Sequence, residues 1–248
     1  MTEYTNFYEM NLYPLQNGIL KAIEKLSLPF YLTGGTALSR FYLHHRYSDD
    51  LDFFINDDPN FSTYTAAAIS ELMKMEDLNI DKNNLIATPY YVSINITKDS
   101  TPLKIDFVND IPVHFGDVKS YYLFNKVDSI VNILTNKITA LIGRNEIKDV
   151  VDVWAISTNY SFDWKTILEL ASQKEACIDT DYICGALNAA SCSEIIENIC
   201  WAKTIDGFKV KRDLCKISND IVKETPNSLC LINSPNLFIS ENNLKPKR

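Results

Sequence analysis

Leu32-Thr33-Gly34-Gly35-Thr36-Ala37-Leu38 is followed a few residues later by Arg46-Tyr47-Ser48-Asp49-Asp50-Leu51-Asp52-Phe53-Phe54-Ile55. The first stretch reads as a short buried strand, Phe30 to Thr33, running into a double-glycine turn. A helix from Thr36 to His45 follows. The second stretch opens a strand, Leu51 to Ile55, with two aspartates one residue apart. Residues two apart on a strand point to the same face. Asp50 and Asp52 are therefore expected to converge on one spot beside the glycine turn. That layout suits a nucleoside triphosphate held through a divalent metal.

Upstream, Leu12, Leu15, Ile19, Ile23 and Leu26 recur at helical spacing, and Pro29 ends that helix. Downstream, Asp57-Asp58-Pro59-Asn60 is a turn and Ser62 to Met75 an amphipathic helix. Tyr91 to Thr97 and Leu103 to Val108 alternate in polarity around a turn at Asp99-Ser100-Thr101-Pro102, which predicts a β-hairpin. Leu103, Ile105 and Phe107 share one face of it, and Lys104, Asp106 and Val108 the other. After about residue 125 the strand signal fades. Asp128 or Ser129 can cap a helix that runs to about Gly143. Further helices are predicted over Asn145 to Ser157 and near 163–175, 181–200 and 206–223. The expected fold is α+β. A small mixed sheet with flanking helices occupies residues 1–125, and an all-helical domain occupies 126–248.

Asp50, Asp52 and Asp106 lie in the strand phase opposite to the apolar residues. Three carboxylates on one sheet face repel one another, and divalent cations relieve that cost. Mg²⁺, or Mn²⁺ in its place, takes one or two carboxylates plus substrate phosphates. The alternative is a set of solvent-facing strand aspartates, although aspartate is depleted in strands. Gly34 and Gly35 let backbone approach a phosphate, and Thr36 or Ser48 adds a hydroxyl. The pattern is neither G-x-x-x-x-G-K-[ST] nor G-x-G-x-x-G, which argues against P-loop and Rossmann folds. On the predicted 128–144 helix, Lys137 and Arg144 are seven apart and fall on one stripe, suited to triphosphate or else an ordinary exposed pair. Asp149 and Asp152 either hold these cations or are surface charges. His44 and His45 read as an exposed helix end.

The chain of 248 residues is 46% apolar, with a net charge of −8. Its pI is about 4.9. It has no apolar run of transmembrane length, and its first residues lack the features of a signal peptide. A soluble cytoplasmic protein with no membrane partner is expected. Six cysteines, at 177, 184, 192, 200, 215 and 230, form no C-x-x-C pair. They read as reduced, buried residues on helix faces rather than zinc ligands. Residues 1–110 carry 8 basic against 15 acidic residues, and residues 201–248 carry 9 against 5. The basic end includes Lys203, Lys209, Lys211, Arg212, Lys216, Lys223, Lys245, Lys247 and Arg248. It reads either as a contact for a nucleic-acid backbone or as a solvated helix face with a charged tail.

Thr33-Gly34-Gly35-Thr36-Ala37-Leu38 with Arg46-x-Ser48-x-Asp50-Leu51-Asp52-Phe53 resembles the first motif of the AbiEii/AbiGii toxin nucleotidyltransferases, of the DNA polymerase β-like superfamily. Lys137-x-x-Ala140-x-x-x-Arg144-x-x-x-Lys148-Asp149-x-x-Asp152 resembles that family's later motif. Asp106 sits where the superfamily has its third metal-binding carboxylate. The resemblance covers about residues 15–160. It implies a metal-dependent nucleotidyltransferase with Asp50, Asp52 and Asp106 as metal ligands and, with Lys137, as catalytic residues. It implies that Ser48 and Lys137 engage the nucleotide phosphates, with Asp149 or Asp152 supporting, and the candidate nucleotide-binding residues taken together are Gly34, Gly35, Thr36, Arg46, Ser48, Lys137, Arg144 and Asp149. It further implies a toxin with a cognate antitoxin partner and an NTP substrate. The acceptor is an RNA (the tRNA 3′ end in some members) or a protein. The alternatives are a small-molecule, antibiotic-type nucleotidyltransferase and a non-catalytic nucleotide-binding partner protein.

Overall fold

In the computed structural model the described residues are 3–144, 146–231 and 233–238. They group into two compact units. The first holds the described residues up to Tyr42, then Tyr47–Pro112 and Val118–Asp128. The second holds Leu43–Arg46, Val113–Asp117 and the described residues from Ser129 on.

The first unit opens with α1 (Glu3–Phe7), π-helical turns over Tyr8–Leu12, and α2 (Tyr13–Lys25). Then come β1 (Tyr31–Thr33), α3 (Gly34–Ala37) with π-helical turns over Leu38–Leu43, β2 (Leu51–Asn56) and α4 (Phe61–Leu72). Four strands complete the sheet: β3 (Asn79–Ile80), β4 (Ile86–Ala87), β5 (Tyr91–Lys98) and β6 (Thr101–Asp110). The order is β1-β2-β6-β5-β3, with β4 also on β5. Among the described strands only the β2–β6 pair is parallel, so the sheet is mixed as expected. Leu51, Phe53, Ile55, Leu103, Ile105 and Phe107 share its buried face. Phe53 stacks on Phe107 at 5.4 Å, and Phe30 meets Phe61 of α4 edge-on at 6.2 Å. Burying each such ring contributes roughly 1.5–3 kcal/mol.

Three details depart from the sequence reading. The helix after β1 starts at Gly34 rather than Thr36, because Gly34, at φ +70°, turns the chain directly into it. Asp50 lies one residue before β2. The two-residue strands β3 and β4 are too short to carry a periodic signal.

The second unit contains α5 (Ile130–Gly143), α6 (Ile147–Asn159), α7 (Trp164–Ala171), α8 (Thr180–Cys192) and α9 (Gly207–Val222). Side-chain caps fix four of the starts: Ser129 accepts from Asn132 N, Asp163 from Thr166 N, Asp179 from Asp181 N, and Asp206 from Phe208 N and Lys209 N. The helix expected over 181–200 stops at Cys192, and Ile195–Asn198 forms a separate 3₁₀ turn. Its apolar pattern continues through the break because Leu187 and Ala190 before it, and Ile196 and Ile199 after it, are all buried. The cysteine expectation is also corrected. All six are free thiols, but only Cys184 is buried, while Cys177, Cys192 and Cys215 are exposed. Eight-residue spacing places residues on one helix face only while the helix is unbroken. No helix among the described residues is long and apolar enough to cross a membrane.

Candidate active site

In the first unit the site is a row across the sheet. Thr33 pairs with Asp52, Asp52 with Asp106 in the parallel register, and Asp106 with Ser93. Strand alternation puts this row on the face opposite Phe53 and Phe107. Asp106 is buried. Ser93 donates to its Oδ1 at 2.6 Å, and the Lys104 ammonium donates to its Oδ2 at 2.7 Å. Burial works to lower the Lys104 pKa, but the hydrogen bond and charge of Asp106 outweigh it, and the net shift is upward. Asp50 and Asp52 are half-buried.

Gly34 closes one side of the row. A Cβ at that position would collide with Asp52 Oδ2, and the residue's positive φ disfavours any side chain as well. The glycine is thus where the Asp52 carboxylate and the backbone turn come closest. Thr36 Oγ1 bonds the Ser48 hydroxyl at 2.9 Å and also the Asp50 carbonyl oxygen, tying the turn to the first residue of the acidic pair.

A polar bracket with no local sequence signal holds the loop before Asp50. Gln16 of α2 is fully buried, and its amide donates to the Ser48 and Asp49 carbonyls at 3.1 and 3.0 Å. Arg40 donates to Gln16 Oε1 at 3.1 Å and lies over the Tyr13 ring at 4.4 Å. Tyr8 stacks on Tyr47 with centroids 4.4 Å apart, and its hydroxyl donates to Asp49 Oδ1. Burial pushes the Tyr13 phenol up to about 12, so it stays protonated within this cluster.

No three His, Cys, Asp or Glu side chains among the described residues converge closely enough to hold a metal ion by themselves. Mg²⁺ does not require that, since phosphates complete its shell. The donor set is all hard oxygen, and the missing Cβ of Gly34 is what lets the Asp52 carboxylate lie against the turn. The row therefore fits a cation that arrives with a nucleotide.

In the second unit a buried ion network surrounds Asp152, which has no exposed surface. Arg46 grips it in a bidentate pair, Nε on Oδ1 and Nη2 on Oδ2, both at 2.8 Å. His45 Nε2 donates to Oδ1 at 2.8 Å, and Lys137 Nζ lies 2.7 Å from Oδ2. Lys137 also reaches Asp149 Oδ1 at 2.6 Å, and Arg144 Nε reaches Asp149 Oδ2 at 3.0 Å. Burial alone pushes the Asp152 carboxyl up, but Arg46 and Lys137 beside it hold it well below the usual carboxylate range. For Lys137 burial pulls downward, Asp152 and Asp149 outweigh it, and the ammonium is favoured. Burial dominates at His45 and lowers its pKa despite Asp152. The ring is neutral, with its proton on Nε2, and its Nδ1 has no hydrogen-bond partner.

Several expectations are resolved here. His45 is 1% exposed and does not end an open helix, though His44 is exposed. The reason is the carboxylate of Asp152, distant in sequence. Asp149 and Asp152 are buried counter-ions rather than surface charges. Lys137 and Arg144 do not share a helix stripe, because α5 ends at Gly143 and Arg144 is extended. Asp149 brings them together instead. Arg46 spends its guanidinium on Asp152. Of the basic C-terminal residues, Lys203, Lys209, Arg212, Lys216 and Lys223 are exposed and Lys211 half-buried. Lys245, Lys247 and Arg248 lie outside the described residues.

A mixed sheet with paired aspartates beside a glycine turn is the arrangement that the sequence reading expects of a nucleotidyltransferase. A profile of the family described as "Nucleotidyl transferase AbiEii toxin, Type IV TA system" matches residues 19–214, and the chain belongs to that family. The sequence is 28% identical over 159 residues to an uncharacterized protein of Aquifex aeolicus, covering 64% of this chain and 72% of that protein. Two solved structures share the fold. The nucleotidyltransferase toxin MenT4 of Mycobacterium tuberculosis has a TM-score of 0.61 at 12% identity, over 85% of this chain and 82% of that one. JHP933 of Helicobacter pylori has 0.55 at 20%, over 90% and 94%.

Proposed function

We propose that this nucleotidyltransferase toxin moves a nucleotidyl group from an NTP to an RNA hydroxyl, with the tRNA 3′ end as the foremost candidate, and that Asp50, Asp52 and Asp106 hold the divalent cation. The observation that carries the reading is the Asp52–Asp106 register pair, on the polar face of the sheet and closed by Gly34. A bound Mg²⁺ or Mn²⁺ supplies neutralisation of the phosphates and polarisation of the reacting phosphorus.

The chain's own residues do the rest. The Gly34-Gly35 backbone with the Thr36 and Ser48 hydroxyls cradles phosphate oxygens. Gln16 and Tyr8 fix the loop that carries Asp50, so the carboxylate is preorganised. The acceptor oxygen bonds to the α-phosphorus and the bond to the β-phosphate breaks, releasing pyrophosphate. The acceptor proton passes to the Asp106 carboxylate, which Ser93 orients. In the second unit, Lys137 and Arg144 are the cations suited to nucleotide phosphates. Arg46, Asp149 and Asp152 position them. The family's toxin–antitoxin character supports an antitoxin partner that restrains this activity in the cytoplasm.

The test is incubation with each α-labelled NTP, Mg²⁺ or Mn²⁺, and total cell RNA. Label in an RNA band is expected. Label in the protein fraction or in a small molecule instead would replace the RNA acceptor, and no transfer from any NTP would overturn the reading.

A further inference from the structure

Within the second unit, the end of α5 and the start of α8 border a cavity of about 510 Å³. Its wall includes Leu141, Gly143, Arg144, Asp181, Tyr182 and Gly185. Two of the chain's seven glycines stand on it. Gly143 is the last residue of α5, and Gly185 lies inside α8, where glycine weakens a helix relative to alanine. Packing does not demand either one. A Cβ built on Gly143 or on Gly185 meets no atom within 4 Å, and neither residue has the positive φ that favours glycine. What the missing side chains preserve is open volume.

The rest of the wall says what that volume is for. Beside the apolar Leu141, Ile142 and Ala186, this open depression presents a flat aromatic ring, a cation and a carboxylate. Tyr182 is 66% exposed. Arg144 is also exposed, and Asp149 orients its guanidinium through Nε at 3.0 Å. Asp181 is exposed one residue before Tyr182, and α8 keeps Asp179, not Asp181, as its cap. Nucleobases stack on aromatic rings. The guanidinium fork matches the oxygens of a phosphate. A carboxylate accepts from a base amino group or a ribose hydroxyl. The volume falls within the range of small-ligand pockets.

We propose that this cavity binds a single nucleotide, its base on Tyr182 over the Gly143–Gly185 floor, its phosphate on Arg144 and a sugar or base donor on Asp181. The proposal rests on the transferase reading for the source of that nucleotide, which is the end of the acceptor RNA or the donor NTP.

Equilibrium binding tests it without turnover. The full chain and its Gly185→Leu and Tyr182→Ala variants are titrated with a short single-stranded RNA, and separately with each NTP in Mg²⁺. Gly185→Leu fills the cavity where no atom obstructs a side chain, and Gly185→Ala serves as the less bulky step. Thermal melting checks that each variant is folded. At least a tenfold rise in Kd is expected for one probe, graded from alanine to leucine at position 185. A rise for RNA marks the acceptor end, and a rise for an NTP marks the donor. Both variants binding RNA and every NTP as the wild type does would overturn the proposal, as would a wild type that binds neither. Failure of label transfer with intact binding would count against the transferase reading and not against the pocket.

Discussion

In the first unit Asp52 and Asp106 are register neighbours on one sheet face, Ser93 and Lys104 donate to Asp106, and Asp52 and Asp50, one residue before the strand, stay half-exposed. In the second unit Asp149 and Asp152 are buried and each carboxylate oxygen meets a cation. Carboxylates matched by fixed cations belong to the scaffold, because their charge is settled once the chain folds. Carboxylates collected beside one another on a sheet face repel, and on the proposed function a cation that arrives with the nucleotide relieves that cost. On that reading the same residue type serves the reaction directly in one unit, and in the other it serves the fold and positions Lys137 and Arg144.

The comparison is broken most directly at Asp152. Asp152→Asn leaves Arg46 and Lys137 buried against a neutral amide, and about 3–5 kcal/mol of unfolding free energy is expected to be lost in a urea titration. A loss below about 1 kcal/mol would mean the network is not part of the scaffold. Asp52→Asn should do the reverse. Nucleotide transfer should fall roughly 10²–10³-fold, the scale of losing one preorganised charge contact, while the urea midpoint holds or rises as like-charge repulsion is relieved. Gly34→Ala joins the two behaviours. A non-glycine residue at positive φ costs about 1–3 kcal/mol, and the new Cβ displaces Asp52, so stability and transfer should fall together. Ser129→Ala removes the α5 cap and should cost about 1 kcal/mol with transfer rate per folded molecule unchanged.

The smallest effect is a slope against pH. His45 is lowered by burial, so below about pH 6.5 the unfolded chain binds a proton that the folded chain resists. Its contribution to stability is complete above that pH and declines as pH falls. The variant His45→Gln, which has an N–H donor but no titrating ring, should flatten stability measured across this window. Asp152, depressed in the folded state, contributes fully above the ordinary carboxylate range and loses that contribution as pH falls from that range through its lowered value.

Local signals made much of this legible from sequence. The β5–β6 hairpin, the Asp52 and Asp106 phase and the Ser129 cap each depend on residues within a few positions, so periodicity and capping rules find them. The bracket of Gln16 and Arg40 was not legible. A glutamine and an arginine on amphipathic helices read as solvent-facing until the loop at Ser48 folds onto them. His45 reads as an exposed helix end and Lys104 as a hairpin residue with no role for the same reason, since their environment comes from Asp152 and from a strand register. Arg46 was singled out by its motif, but its partner lies 106 residues away. The turn from α5 to Arg144 defeated the stripe argument because a helix periodicity was extended one residue past the helix.

The motif Arg46-x-Ser48-x-Asp50-x-Asp52 straddles the division between the units, with Arg46 on one side of it and the serine and aspartates on the other. The helical unit is thus not a cassette that evolution or an engineer can exchange at residue 128. A C-terminal fragment cut there lacks His45 and Arg46 and strands the Asp152 carboxylate. Any recombination that grafts a new helical half must carry Leu43–Arg46 and Val113–Asp117 with it.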